Sequence, residues 1–86
     1  MKPFVGNIEK LTERNAYFRK VLFTGKHMQL VVMNLKPKEE IGVEVHQDVD
    51  QFFRVEEGTA RFVLGRTAHR VSEGGAVVVP AARNTM

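Results

Sequence analysis

Residues 44–58 read EVHQDVDQFFRVEEG and are the most informative part of the chain. They arrange a carboxylate, an imidazole and a carboxamide, those of Glu44, His46 and Gln51, around a short acidic turn. Side chains alternate between the two faces of a strand, so Glu44 and His46 point the same way. If the chain reverses over residues 47–50, Gln51 on the next strand faces the same interior. The pattern predicts a small polar site inside an otherwise apolar β-structure.

The length and composition indicate one small domain over residues 1–86. A chain of this size buries only about 60–65% of the surface of its unfolded state. The sequence contains no cysteine, so it offers neither a disulfide nor a thiolate metal ligand, which fits a reducing cytoplasm. No apolar run approaches the ~18 residues of a membrane span, and the N-terminal residues lack the apolar core of a secretory signal. We therefore predict a cytoplasmic protein that does not enter the membrane.

The charge pattern argues against binding to nucleic acids. The chain has 13 Lys and Arg against 10 Asp and Glu, which is a formal net charge of +3. The basic residues are scattered along the chain and form no block. Proteins that bind single strands combine a basic groove with aromatic stacking platforms, whereas Phe52 and Phe53 follow an acidic turn. The pattern is typical of a solvated surface, and we expect no nucleic-acid partner.

The order of turn signals predicts a strand-rich fold. Asn7 is expected to cap a single helical turn between Asn7 and Asn15. The remainder reads as short strands separated by Gly, Pro and charged turn residues, at residues 18–24, 27–35, 41–46, 51–56, 60–64, 67–71 and 76–80. Short strands at spacings of ~8–12 residues are typical of a sandwich or a barrel.

Several of these strands are apolar on both faces. Phe52 and Phe53 are adjacent, so they lie on opposite faces of one strand, and we expect both in a core or an interface. A half-exposed sheet alternates apolar with polar residues. The outer face of at least one sheet is therefore expected to be covered, and a second copy of the chain would supply that cover in a homodimer.

At this point the residues resemble a known family. From Gly42 to Gly58 the chain is similar to the first motif of the cupin superfamily, which are small β-barrels of the RmlC-like jelly-roll type. The motif reads His-x-His, three or four residues, Glu, six residues, Gly. Glu44 stands at the first His position, His46 at the second, Gln51 at the Glu position and Gly58 at the glycine, and the spacing matches at every step.

The resemblance extends over nearly the whole chain. Residues 3–9 and 24–30 also look like a bacterial subgroup of single-domain cupins that uses this Glu, His, Gln set. The resemblance implies an all-β fold, a cupin-type double-stranded β-helix (jelly-roll) barrel. It also implies that Glu44, His46 and Gln51 are metal ligands. Their oxygen and imidazole donors suit Mn, Fe, Ni or Zn, and the sequence does not choose among these metals.

The second cupin motif is only partly present. It reads Gly, five residues, Pro-x-Gly, two residues, His, three residues, Asn, and Gly74 to Pro80 start it correctly. Ala82 then stands where the glycine belongs and Thr85 where the histidine belongs, and the chain stops at Met86. The resemblance therefore implies a barrel that is incomplete at its C-terminus and lacks the fourth ligand.

Two functions remain open. The first is a small cupin barrel that binds a divalent metal ion, a small polar ligand or both. Isomerase or dioxygenase activity is permitted by the family, but these residues do not require any reaction. The second is a non-catalytic, metal-free dimeric binding or assembly module. Its open strand edges would be paired in the dimer, for which strand exchange is one route. The contact is expected at the strand of Val77 to Val79 or at the N-terminal strand.

Other polar residues are expected to have structural roles. His27 and His69 are predicted at the surface, although His27 and Gln29 share a strand face that could reach the same interior. Asp48 and Asp50 are expected to shape the turn through hydrogen bonds from side chain to backbone.

Overall fold

The computed structural model describes residues 2–41 and 48–81. In these ranges the chain forms a helix, α1 (Ile8–Arg14), followed by strands β1 (Arg19–Thr24), β2 (Gln29–Met33), β3 (Gln51–Arg54), β4 (Thr59–Leu64), β5 (Thr67–Ser72) and β6 (Ala76–Val79). The short strands confirm the strand-rich prediction. The strand predicted at residues 41–46 lies outside the described residues, except for Ile41. The chain divides into two compact units, Met1–Glu40 and Ile41–Met86.

Asn7 caps helix α1 as predicted. Its Oδ1 atom accepts a 3.0 Å hydrogen bond from the backbone N–H of Lys10, which satisfies one of the free donors of the first turn. The helix is longer than the predicted single turn, with seven residues. Within the described ranges, no helix has the length and apolar character needed to cross a bilayer.

In the first unit, β1 and β2 form an antiparallel pair. The register runs from Arg19 opposite Met33 to Thr24 opposite Gln29. Val32 is the buried apolar residue of this pair. Buried Asn15 holds the turn between the helix and β1, because its side chain donates to the carbonyl of Tyr17 at 2.7 Å and accepts from the N–H of Tyr17 at 3.1 Å.

In the second unit, β3 pairs with β6 and β4 pairs with β5, both antiparallel. Burial alternates along three of these strands, β3, β4 and β6, as expected of sheets with one covered face. The inner faces meet where Phe53 packs edge-on against Phe62, with ring centroids 5.3 Å apart.

The structure corrects one part of the predicted core. Phe52, expected in a core or an interface, is 68% exposed on the outer face of β3, so it does not lie in the core of this chain, and its place in an interface stays a prediction. The reason is geometric, because adjacent strand residues must point to opposite faces, and Phe53 takes the inner one.

Candidate functional site

Gln51 is the predicted metal ligand that the structure describes. It is the first residue of β3 and lies opposite Val79 of β6. Burial alternates along β3: Gln51 and Phe53 are half-buried, and Phe52 and Arg54 are exposed. Gln51 therefore lies on the inner face of β3, as the sequence predicts.

The face that carries Gln51 is otherwise apolar in this pair of strands. Its other members are Phe53 and, across the ladder, Val77 and Val79, all half-buried. Gln51 is half-buried, so water still reaches its amide. Closing this face without a polar partner for the amide would cost about 1–3 kcal/mol. The carboxamide oxygen can accept a hydrogen bond or coordinate a metal ion, and the amide nitrogen can donate.

A neighbouring carboxylate holds the end of this ladder. The backbone N–H of Ala81 donates a 2.7 Å hydrogen bond to Oδ1 of Asp50, which extends the β3–β6 pairing beyond the last matched pair, Gln51 and Val79. Asp50 thus bonds the backbone through its side chain, as predicted, although its partner Ala81 follows β6 and does not lie in the turn. This contact helps to set the register that places Gln51 on the inner face.

Glu44 and His46 lie outside the described residues, so the convergence of the three donors stays a prediction. Over residues 2–41 and 48–81, no cluster of three or more His, Cys, Asp or Glu side chains is arranged to hold a metal ion. The missing fourth ligand was predicted from Ala82 and Thr85, which are also outside the described ranges.

Two histidines lie in the described part of the chain. His27 and His69 are both exposed, as expected. Gln29, which shares a predicted face with His27, is engaged within the first unit. Its amide nitrogen donates to Thr24 Oγ1 at 3.0 Å, and its oxygen accepts from Arg19 Nη2 at 3.1 Å. The idea that His27 and Gln29 face an interior is wrong, because both are at the surface.

Sequence reasoning missed a buried carboxylate. Glu56 was assigned to the end of a strand before a turn, but it is one of two buried polar residues in the described part of the chain. Arg54 Nε donates a 3.0 Å hydrogen bond to its Oε1 atom. The signal was present in the spacing, since residues two apart on an extended chain point to the same side.

Comparison with known proteins gives consistent matches. A sequence model of the family described as "Cupin domain" matches residues 31–84. The chain is 46% identical over 81 residues to an uncharacterized protein of Acanthamoeba polyphaga mimivirus, and the match covers 91% of this chain and 51% of the relative. It is 43% identical over 86 residues to the uncharacterized protein YrkC of Bacillus subtilis (strain 168), covering 93% of this chain and 46% of the relative. The chain thus spans about half the length of these curated relatives.

A solved structure also matches. The crystal structure of BH2720 from Bacillus halodurans has a TM-score of 0.82 and 40% sequence identity, and the match covers 93% of this chain and 65% of that one. With the family match, this likeness confirms the strand-rich jelly-roll fold that the sequence predicts.

Proposed function

The chain belongs to the cupin family, and from this premise we propose that it binds a divalent metal ion and a small polar ligand through Glu44, His46 and Gln51. The observation that carries the proposal is the half-buried Gln51, whose amide lies on the inner face of β3 beside Phe53. Without a hydrogen bond or a bound ion, an amide at this position would cost free energy as the face closes around it. If residues 41–46 form a strand, as the sequence predicts, Glu44 and His46 point to the same face of it.

The donor set fits a divalent ion. A carboxylate, an imidazole and a carboxamide oxygen together suit Mn, Fe, Ni or Zn. A bound ion would supply Lewis-acid polarisation of a ligand oxygen. In the proposal, Glu44 contributes the negative charge, His46 the nitrogen donor, and Gln51 either an oxygen donor or a hydrogen bond to the polar ligand. The proposal is limited to binding, since one fold supports many activities. We also propose that the protein is cytoplasmic.

Metal titration of the chain tests this function. Chelator-treated protein would be titrated with Mn²⁺, Fe²⁺, Ni²⁺ and Zn²⁺ in a calorimeter. His46→Ala is the test variant. His27→Ala is the matched control, because His27 is exposed and lies in the first unit. We expect one equivalent of metal to bind the unmodified chain and His27→Ala. Affinity should fall at least about tenfold in His46→Ala, which corresponds to ~1.4 kcal/mol. Equal affinity in both variants would refute the site.

A second candidate, a metal-free homodimeric assembly module, is favoured by one observation. Phe52 and Val78 lie directly opposite each other on the outer face of the β3–β6 pair, 68% and 61% exposed. Exposed apolar surface stabilises association at roughly 25 cal/mol for each Å² that it removes from water, and contiguous patches of this kind mark interaction sites. In this proposal the strand of Val77 to Val79 lies at the contact between two copies, with or without strand exchange.

Light scattering separates the two candidates. We expect a dimer at micromolar concentration, and a monomer for Val78→Lys, because a charge at the centre of an apolar contact would have to be desolvated. Val5→Lys is the control, since Val5 is also an exposed valine, 91% accessible, but lies in the first unit. A monomeric unmodified chain, or equal effects of the two lysines, would remove the assembly proposal and leave the metal proposal standing.

A further inference from the structure

Two arginines face each other across the β4–β5 hairpin. The antiparallel register places Arg61 directly opposite Arg70, and both are exposed. Residues paired in this way have Cβ atoms about 4.5–5.5 Å apart, and like charges directly opposite each other are destabilising. Without a compensating anion, this pair costs stability in the hairpin.

The next pair along the same face supplies hydroxyl groups. Thr59 lies opposite Ser72, and their Oγ1 and Oγ atoms are 3.0 Å apart. Alternation along the strands puts this pair on the same side as Arg61 and Arg70, one layer away. Hydroxyls both donate and accept hydrogen bonds, and each guanidinium presents a planar fork of N–H donors. The face is therefore rich in donors.

These donors border a cavity. A partly open space of about 530 Å³ adjoins the hairpin, and its lining residues are Thr59, Ala60, Arg61, Ala68, His69 and Arg70. Both arginines and one of the hydroxyls thus line the same space. Among the residues that the structure describes, the lining contains no carboxylate.

Neither arginine is neutralised within the part of the chain that the structure describes. The ion pair found among those residues joins Arg54 to Glu56 and involves neither Arg61 nor Arg70. The described part of the cavity wall thus carries two formal positive charges and no acidic side chain.

We infer that this cavity binds the phosphate group of a small molecule, held between Arg61 and Arg70 with Thr59 as an additional donor. A phosphate has more acceptor oxygens than a carboxylate, and its double charge balances the two guanidiniums, whose forks match phosphate geometry. A nucleic-acid strand fits less well, because such binders need aromatic stacking platforms and the described lining residues include no Phe, Tyr or Trp. The site is independent of the metal-binding proposal.

The test is a phosphate titration of the ¹⁵N-labelled chain. Inorganic phosphate and glycerol phosphate would be added at constant pH and ionic strength, while the backbone amides of Thr59, Arg61 and Arg70 are followed by NMR. We expect saturable shifts confined to β4 and β5. Arg61→Gln and Arg70→Gln should each raise Kd about tenfold or more, since a hydrogen bond to a charged group contributes ~1.5–3 kcal/mol.

The controls for this titration are the variants Arg66→Gln and Arg61→Lys and the dicarboxylate succinate. Arg66→Gln removes the same charge from the turn of this hairpin, outside the cavity lining, and should leave Kd unchanged. Arg61→Lys keeps the charge but loses the fork, and should weaken binding. Shifts that do not saturate, an equal loss in Arg66→Gln and Arg61→Gln, or succinate binding as tightly as phosphate would each overturn the assignment.

Discussion

Arg54 Nε donates a 3.0 Å hydrogen bond to Oε1 of Glu56, a side chain that is only 5% exposed, while the arginine side chain is 47% exposed. The carboxylate is thus held at the edge of the second unit by a partner that remains in contact with water. Removing one partner of a buried charged pair costs more than removing both, because the remaining charge stays desolvated.

The first prediction concerns this pair. Arg54→Gln should lower the free energy of unfolding by about 2 kcal/mol, because a buried charged acceptor loses its donor. Glu56→Gln should cost less, and the double variant should recover part of the loss of Arg54→Gln. Urea denaturation of the four proteins in a double-mutant cycle measures the coupling. A coupling energy of zero would show that the pair is not maintained in solution.

The second prediction concerns the clamp between Asp50 and the backbone of Ala81. Asp50→Ala should destabilise the chain by about 1 kcal/mol, because an exposed hydrogen bond contributes modestly. The effect should be local, with faster hydrogen exchange of the Ala81 and Val79 amides. Asp48→Ala removes an exposed carboxylate from the same acidic turn and should leave these amides protected. Similar exchange in the two variants would contradict the role of Asp50.

The third prediction separates the stability of the Gln51 site from its function. Gln51→Leu should raise the free energy of unfolding of metal-free protein by about 1 kcal/mol, because a half-buried leucine gains part of the ~1.5–3 kcal/mol of full burial. The same variant should lose metal affinity if the proposed function holds. Gln29→Leu is the control, since Gln29 is exposed and bonded to Thr24 and Arg19. It should not stabilise the chain. Thermal denaturation with and without metal reads out both effects, and a destabilised Gln51→Leu would contradict the apolar inner face.

The fourth prediction concerns the turn before β4. Gly58 has φ = +84°, and a Cβ atom added there would meet nothing within 4 Å. The cost of Gly58→Ala is therefore conformational and not steric, about 1 kcal/mol. Gly58→Asn should cost less, because asparagine tolerates this region of φ. The midpoints of urea unfolding measure the order Gly, Asn, Ala, and an alanine variant as stable as the unmodified chain would contradict it.

Much of the architecture follows from local signals. Turn residues such as Gly25, Gly58 and Gly74 divide the chain into segments of strand length, and six of the predicted strands agree with observed ones to within a few residues at each end. The cap formed by Asn7 was predictable because its side chain bonds a backbone group only three residues away. Such interactions depend on neighbouring residues alone.

The burial of Phe52, Phe53 and Glu56 required long-range information. The sequence shows that Phe52 and Phe53 lie on opposite faces, but not which face is covered. Contact with Phe62 settles this in favour of Phe53. The sequence alone indicates that Glu56 is solvated near a turn. The structure shows that it is buried and bonded to Arg54.

From its amino-acid order alone, the protein is predicted to be rich in short strands, because alternation and turn chemistry act over a few residues. Its resemblance to the cupins implies the jelly roll and the Glu44, His46 and Gln51 ligand set. The pairing of strands then placed Gln51 opposite Val79 and Arg61 opposite Arg70. The second relationship follows from the two-residue turn at Gly65 and Arg66. The first, between strands far apart in the chain, cannot be read from spacing. Register depends on contacts between distant segments, and a shift of one residue would move every side chain to the other face.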